Sequence, residues 1–141
     1  MKRYTISKER YRLMIRSLSK DYHDPVELML HANFQILVDF IEKEKPEEVV
    51  NWDYCREQAF ARNEFRSLYY WWKIGRPAAH KYYNRLLREQ YPYRKNYELN
   101  KIIAKDGKAG INKLHKFETF LTNKDQRQLH RLIKIRLNLW T

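Results

Sequence analysis

Between Phe65 and Tyr97 the sequence interleaves ten aromatic residues with eight basic ones. The rings are Phe65, Tyr69, Tyr70, Trp71, Trp72, Tyr82, Tyr83, Tyr91, Tyr93 and Tyr97. The cations are Arg66, Lys73, Arg76, Lys81, Arg85, Arg88, Arg94 and Lys95, and Glu89 is the main acidic interruption. The chemistry this mixture offers is non-covalent. Bases of a single strand stack on exposed rings at about 1–3 kcal/mol each, while cations neutralise phosphates. The same residue types also serve protein interfaces, where Tyr and Arg are enriched. Trp72, Tyr82, Tyr83 and Leu86 fall on apolar helix faces and equally read as core. The candidate contact residues for nucleic acid or a protein partner are Lys73, Arg76, Lys81, Arg85, Arg88, Tyr91, Tyr93, Arg94 and Lys95. Arg127, Arg131 and Lys134 join them as a second basic face, which is either a track for a phosphate backbone or an ordinary solvated helix surface.

Other residue types point to little chemistry. His31, Asp39 and Glu42 lie on one face of a helix with His23 nearby, and His plus carboxylates at such spacing can hold a metal. The face lacks a second His one turn away, as His-Glu-x-x-His would supply, and near-regular spacing of four also describes any solvated surface. The chain has no Gly-rich phosphate loop, nucleophile elbow or Cys-x-x-Cys pair. Cys55, the single cysteine, forms no internal disulfide and reads as a packing residue. His80, His115 and His130 have no readable catalytic partner. The expectation is a non-enzyme with no catalytic residues, no cofactor and no metal. The acidic stretch Glu42–Asp53 reads as a solvated loop or an internal counterweight to the basic half; a surface imitating nucleic acid is the sharper alternative.

The charge is unevenly placed. The net charge is +12. A basic arm, residues 1–20, carries +6. An acidic middle, residues 21–64, carries −7, and a basic aromatic-rich half, residues 65–141, carries +13. Such asymmetry speaks to partners rather than to fold. It calls for nucleic acid or an acidic protein surface, and it allows a homodimer in which some of the positive charge meets the acidic middle. At 141 residues, with 43% hydrophobic and 15% aromatic content, the chain fits one folded domain, 1–141. Three glycines and four prolines are few for an all-β sandwich. The N-terminus lacks an apolar core for a signal peptide. The most apolar run, Leu28–Ile41, is interrupted by His31, Asn33, Gln35 and Asp39, too polar for a membrane span. A cytosolic protein, or part of a particle assembled in the cytosol, is expected.

The elements that must position these residues read as helices. Ser7–Ser19 is a first helix with Tyr11, Met14, Ile15 and Leu18 inward; Lys2–Ile6 offers a short strand instead. Asp24 caps a second helix with Pro25 at its first position and Glu27 completing a capping box. This helix runs to about Lys45, where Pro46 ends it. Its apolar face is Val26, Met29, Leu30, Phe34, Leu37, Phe40 and Ile41, and its polar stripe is Glu27, His31, Gln35, Asp39 and Glu42. After a connector, Pro46–Trp52, a third helix spans Asp53–Ile74 with Gly75 at its end. A fourth, from Pro77 to Gln90, sets Ala79, Tyr82, Tyr83 and Leu86 opposite Lys81, Arg85 and Arg88. Beyond Pro92 come a helix over Tyr93–Lys105, a short one over Ile111–Leu121, and a last one capped by Asp125 with Leu129, Leu132, Ile133, Leu137 and Trp140 inward. The class expected is all-α, with a short β element at the N-terminus as the one alternative.

Two segments carry a resemblance. His31–Lys45 (HANFQILVDFIEKEK) and Leu68–Pro77 (LYYWWKIGRP) resemble a group of small proteins of tailed bacteriophages. In that group an Asn-Phe-x-x-Leu-Val-x-Phe-x-Glu helix precedes a Tyr-x-Trp-Trp-x-x-x-Arg-Pro element. The match covers about residues 30–77, a third of the chain, and excludes most of the basic half. It implies a phage product acting in the cytoplasm of an infected bacterium or in the virion, and it implies no activity. The function expected is a non-enzymatic accessory protein that binds nucleic acid or a host nucleoprotein complex through its basic C-terminal half. The alternatives are a protein-binding inhibitor of a host enzyme or defence complex, and a minor virion component.

Overall fold

A computed structural model describes residues 5–8, 11–91 and 108–139, with side chains over 13–91 and 110–139. Its elements are a hairpin, β1 (Thr5–Lys8) and β2 (Tyr11–Met14), then α1 (Pro25–Asp39), α2 (Pro46–Val49), α3 (Arg56–Tyr70), α4 (Arg76–Gln90) and α5 (Lys108–Lys134). A 3-10 turn, Arg136–Asn138, follows. The protein is therefore all-α with a small β element at its start. No helix among the described residues is long and apolar enough to cross a membrane. The chain forms two compact units. Unit 1 comprises residues 1–70 and 127–141, and unit 2 comprises residues 71–126.

The first expected helix, Ser7–Ser19, is a hairpin instead. Its strands pair antiparallel with Ile6 opposite Leu13 and Lys8 opposite Tyr11. Thr5, Ile6 and Tyr11 are β-branched or aromatic, types that favour a pleated strand over a helix. Burial of Leu13 rather than of a helical stripe decides the outcome.

Helix α1 starts as its sequence dictates. Asp24 is extended and its Oδ1 accepts the backbone N–H of Glu27 at 2.9 Å. Leu30, Phe34, Leu37 and Val38 are buried, but Val26 and Met29, expected inward, are 78% and 62% exposed. Three members of the polar stripe, His31, Gln35 and Asp39, lie inside in their place. Gln35 Oε1 accepts the backbone N–H of Arg16 at 3.0 Å, and His31 Nδ1 bonds the Ser17 hydroxyl at 2.7 Å. Gln35 Nε2 donates to Asp39 Oδ1 at 2.9 Å, and Lys43 Nζ lies 3.0 Å from Asp39 Oδ2. These groups fasten the chain after β2 onto α1, and a buried polar group tolerates its place only when so partnered.

Two five-residue π turns, Phe40–Glu44 and Trp71–Gly75, each end two residues before a proline, Pro46 or Pro77. Proline has no N–H to return and its ring crowds the carbonyl four residues back, so a wider turn ahead of it relieves the clash. The first turn ends its helix: Lys45 is left-handed, with φ 49° and ψ 58°. The second does not. Gly75 keeps right-handed helical angles, φ −65° and ψ −48°, and the chain passes directly into α4, correcting the expectation that Gly75 ends the helix.

The connector Pro46–Trp52 is partly helical, as α2, and contributes to the core. Trp52 is buried and donates its indole N–H to the Pro46 carbonyl at 2.8 Å. Phe65 sits edge-on between Phe40 (centroids 5.6 Å apart) and Trp52 (5.1 Å), a favoured aromatic geometry. Ala61, Leu68, Leu132 and Ile135 complete the interior of unit 1. The two helices expected over 111–121 and from Asp125 onward are one. Leu114, Leu121, Gln128 and Leu132 are all buried along α5, with Ile135 buried just after its end, and the helix's middle holds neither Gly nor Pro to break it. Ile133 and Leu137, expected inward, are exposed. The expected helix Tyr93–Lys105 and the residue Trp140 lie outside the described residues.

Candidate functional site

In unit 2, α4 presents the first cationic face. Lys81, Arg85 and Arg88 are exposed and, with Ala78, Tyr82 and Glu89, line one concavity of about 610 Å³. Positions 81, 85 and 88 share a helix side because three- and four-residue steps return near the same azimuth. The Arg85 guanidinium lies 4.9 Å from the Tyr82 ring centroid, within cation–π range. Glu89 Oε1 is 3.8 Å from Arg85 Nε, a long and exposed pair of the kind that contributes little.

A ladder of rings runs on from that face. Tyr82 meets Phe117 edge-on at 5.0 Å between centroids, and Phe117 meets Phe120 at 5.6 Å. Phe120 and Trp71 both line a second, smaller cavity of about 160 Å³, together with Gly75, Arg76, Ala79, Leu121, Lys124 and Asp125. Trp71 and Trp72 lie 6.0 Å apart, and the Arg76 guanidinium is 5.0 Å over Trp72. Arg76 is anchored by a bidentate pair, its Nε and Nη2 donating to the two oxygens of Asp125 at 2.9 and 3.0 Å. Asp125, expected as a helix cap, is thus a mid-helix partner of Arg76.

The second cationic face belongs to unit 1 and is differently committed. Arg127 and Lys134 are exposed. Arg131 donates from Nε and Nη2 to the carboxylate of Glu64 at 2.9 and 2.8 Å, from Nη1 to Gln128 Oε1 at 2.8 Å, and from Nη2 to Ser67 Oγ at 3.2 Å. The hydrogen bond from Arg131 holds the Glu64 carboxyl below its ordinary value, and the same bond raises the guanidinium.

Of the remaining candidates, Lys73 is exposed on the second π turn and Tyr91 is half-buried, its N–H bonded to the Leu87 carbonyl at the end of α4. Tyr93, Arg94 and Lys95 lie outside the described residues. The structure gathers Arg76, Lys81, Arg85 and Arg88 on α4 and assigns Arg127, Arg131 and Lys134 to the other unit. Phe117, Phe120 and Lys124 are not among the residues the sequence points to. Their spacing of three and four along one side of α5 is the available signal, and the expected break in that helix conceals it.

The acidic middle acts in part as a counterweight. Glu47 pairs with Arg66, Asp53 with Arg62 at 2.9 Å, and Glu64 with Arg131, while Glu42 accepts the Tyr69 hydroxyl at 2.7 Å and raises its pKa. Among the described residues no three His, Cys, Asp or Glu side chains cluster as metal ligands. Comparison with models of known families, with curated proteins and with solved structures finds nothing that matches the chain.

Proposed function

We propose that this is a non-enzymatic phage accessory protein that binds nucleic acid, free or within a host nucleoprotein complex, through the α4 face of its basic half. It would act in the cytoplasm of the infected bacterium. The observation that carries this reading is the concavity in which Lys81, Arg85 and Arg88 stand beside the Tyr82 ring, at the head of the aromatic ladder. Cations on such a stripe neutralise successive phosphates and release their counterions, and nearby rings stack on bases. A mobility-shift series with single-stranded and duplex DNA and RNA tests it. Binding should appear at low salt and weaken steeply as salt rises; its absence even at low salt sinks the proposal.

A second reading, a protein-binding inhibitor of a host enzyme or defence complex, is favoured by one specific feature. Val26 and Met29 on α1, with Tyr22 just before it, expose large apolar side chains at steps of four and three residues. A stoichiometric host partner that survives nuclease treatment and is lost in Met29→Glu would move the assignment to this reading.

A further inference from the structure

The sequence LYYWWKIGRP packs two tryptophans and a glycine into one turn of chain, a π turn, and Arg76 follows it as the first residue of α4. Such insertions concentrate at functional sites. Here the wider turn brings the Trp71 indole against Gly75: a Cβ at position 75 would stand 3.3 Å from Trp71 Cδ1, closer than side chains ordinarily pack. One turn further along α4 the next wall residue is again small, Ala79. Between these small residues and α5 lies the cavity of about 160 Å³, with Trp71, Phe120 and Leu121 as its apolar lining.

Its size is instructive. An apolar cavity of roughly 150 Å³ accommodates one six-membered aromatic ring. Phe120 is 47% exposed, so the cavity reaches the surface along a ring edge. Its polar rim is cationic on balance. Lys124 lines it, and Arg76 is held there by Asp125, which fixes the guanidinium while offsetting its charge. A flat ring attached to an anionic backbone matches both properties. The aromatic ladder Tyr82, Phe117, Phe120 links this cavity to the cationic concavity within the same unit.

We propose that the cavity between Trp71 and Phe120 receives one unpaired nucleobase, making the protein selective for single-stranded nucleic acid. This inference rests on the nucleic-acid reading above and adds the form of the ligand. A base held in a duplex cannot enter, whereas an unstacked base of a single strand lies between the two rings. Lys81, Arg85 and Arg88 then take phosphates further along the strand.

The test uses the full chain and fluorescence anisotropy with three labelled probes at one salt concentration: a 15-nucleotide oligodeoxythymidine, a duplex of equal length, and an abasic 15-mer with the same phosphates. The oligodeoxythymidine should bind about tenfold more tightly than either other probe, the scale of one base stacked on protein rings. Ala79→Leu, which fills the cavity, and Phe120→Ala, which removes a half-exposed wall, should each abolish that advantage while leaving duplex affinity within about twofold of the parent. Thermal melts establish that both variants are folded, and Phe120→Ala stands as the test if Ala79→Leu is not. Equal affinity for all three probes, or an advantage that survives both variants, overturns the base pocket and leaves the nucleic-acid reading standing. A cavity used for an aromatic side chain of a protein partner gives that same outcome. No binding of any probe at low salt overturns the nucleic-acid reading itself.

Discussion

Lys81, Arg85 and Arg88 in unit 2 and Arg127, Arg131 and Lys134 in unit 1 repeat the same spacing, four residues and then three, along a helix. The two stripes are indistinguishable as patterns of residue type. In the folded chain they differ at the middle arginine. Arg85 rests over Tyr82 with a distant, exposed Glu89 beside it. Arg131 is clamped by both oxygens of Glu64 and fastened further by Gln128 and Ser67. A guanidinium that already holds a carboxylate bidentately has few donors left for a phosphate. The basic half is therefore one outward-facing stripe and one stripe whose centre ties α5 to α3. What separates them is a carboxylate 67 residues away in sequence, which no helical periodicity encodes.

The strongest way to break this comparison is to reverse the charge of each stripe in turn. Replacing Lys81, Arg85 and Arg88 together by Glu should weaken nucleic-acid binding by roughly a hundredfold at low salt. Replacing all three by Ala should lower the slope of log affinity against log salt by about 2 for a single strand. Neither change should shift the melting temperature much, since all three side chains are exposed. The matched change at Arg127 and Lys134 should reduce affinity far less. Titration of each variant by fluorescence anisotropy across a salt series checks this, and equal losses from both stripes would erase the distinction.

The next effect is on stability, and it should fall on the opposite stripe. Side-chain exposures of 18% for Glu64 and 34% for Arg131 place the pair between the surface and the interior. Arg131→Ala should therefore cost about 1–2 kcal/mol, more than an exposed pair and less than a buried one. Arg85→Ala should cost almost nothing. Urea denaturation of both variants reads the difference. The pair also sets a pH dependence. Because Arg131 holds Glu64 below the ordinary value of 4.5, its contribution is complete above about pH 4.5 and is lost as pH falls through the lowered value. Between pH 7 and pH 3 the parent should lose more stability than Glu64→Gln, whose residue 64 does not titrate. Equal losses would mean that the pair contributes nothing to the acid transition.

How far these features were legible follows from what each depends on. The start of α1 is legible because Asp24 and Pro25 act on their own backbone, whereas the Glu27 carboxylate, expected to complete a capping box, pairs with His23 at 2.9 Å. The buried row Ala61, Phe65 and Leu68 is legible because periodicity reports one face of one helix. The direction of that logic failed at α1, where His31, Gln35 and Asp39 face inward while Val26 and Met29 face out. Their burial depends on the main chain at Arg16 and the hydroxyl of Ser17 arriving from a hairpin read as a helix. The cationic stripe of α4 was readable from its own spacing. The aromatic ladder was not, because Tyr82 finds Phe117 across two helices, and a helix broken in the reading cannot place its residues in phase.

The smallest expected effect separates an ion pair from a network at Arg131. Ser67 Oγ accepts from Nη2 at 3.2 Å on the exposed side of the guanidinium, whereas the two Glu64 bonds are 2.8 and 2.9 Å. A neutral hydroxyl bond contributes about 1 kcal/mol at most, and water replaces it readily at an exposed site. Ser67→Ala should accordingly shift stability by less than about 0.5 kcal/mol, and its effect should add to that of Gln128→Ala within similar error if the carboxylate alone fixes the arginine. A loss from Ser67→Ala as large as that from Glu64→Gln would mean that the guanidinium is held by the whole ring of acceptors. Arg131 would then stay in place even with Glu64 protonated, and the acid transition would cost only its bond to Glu64.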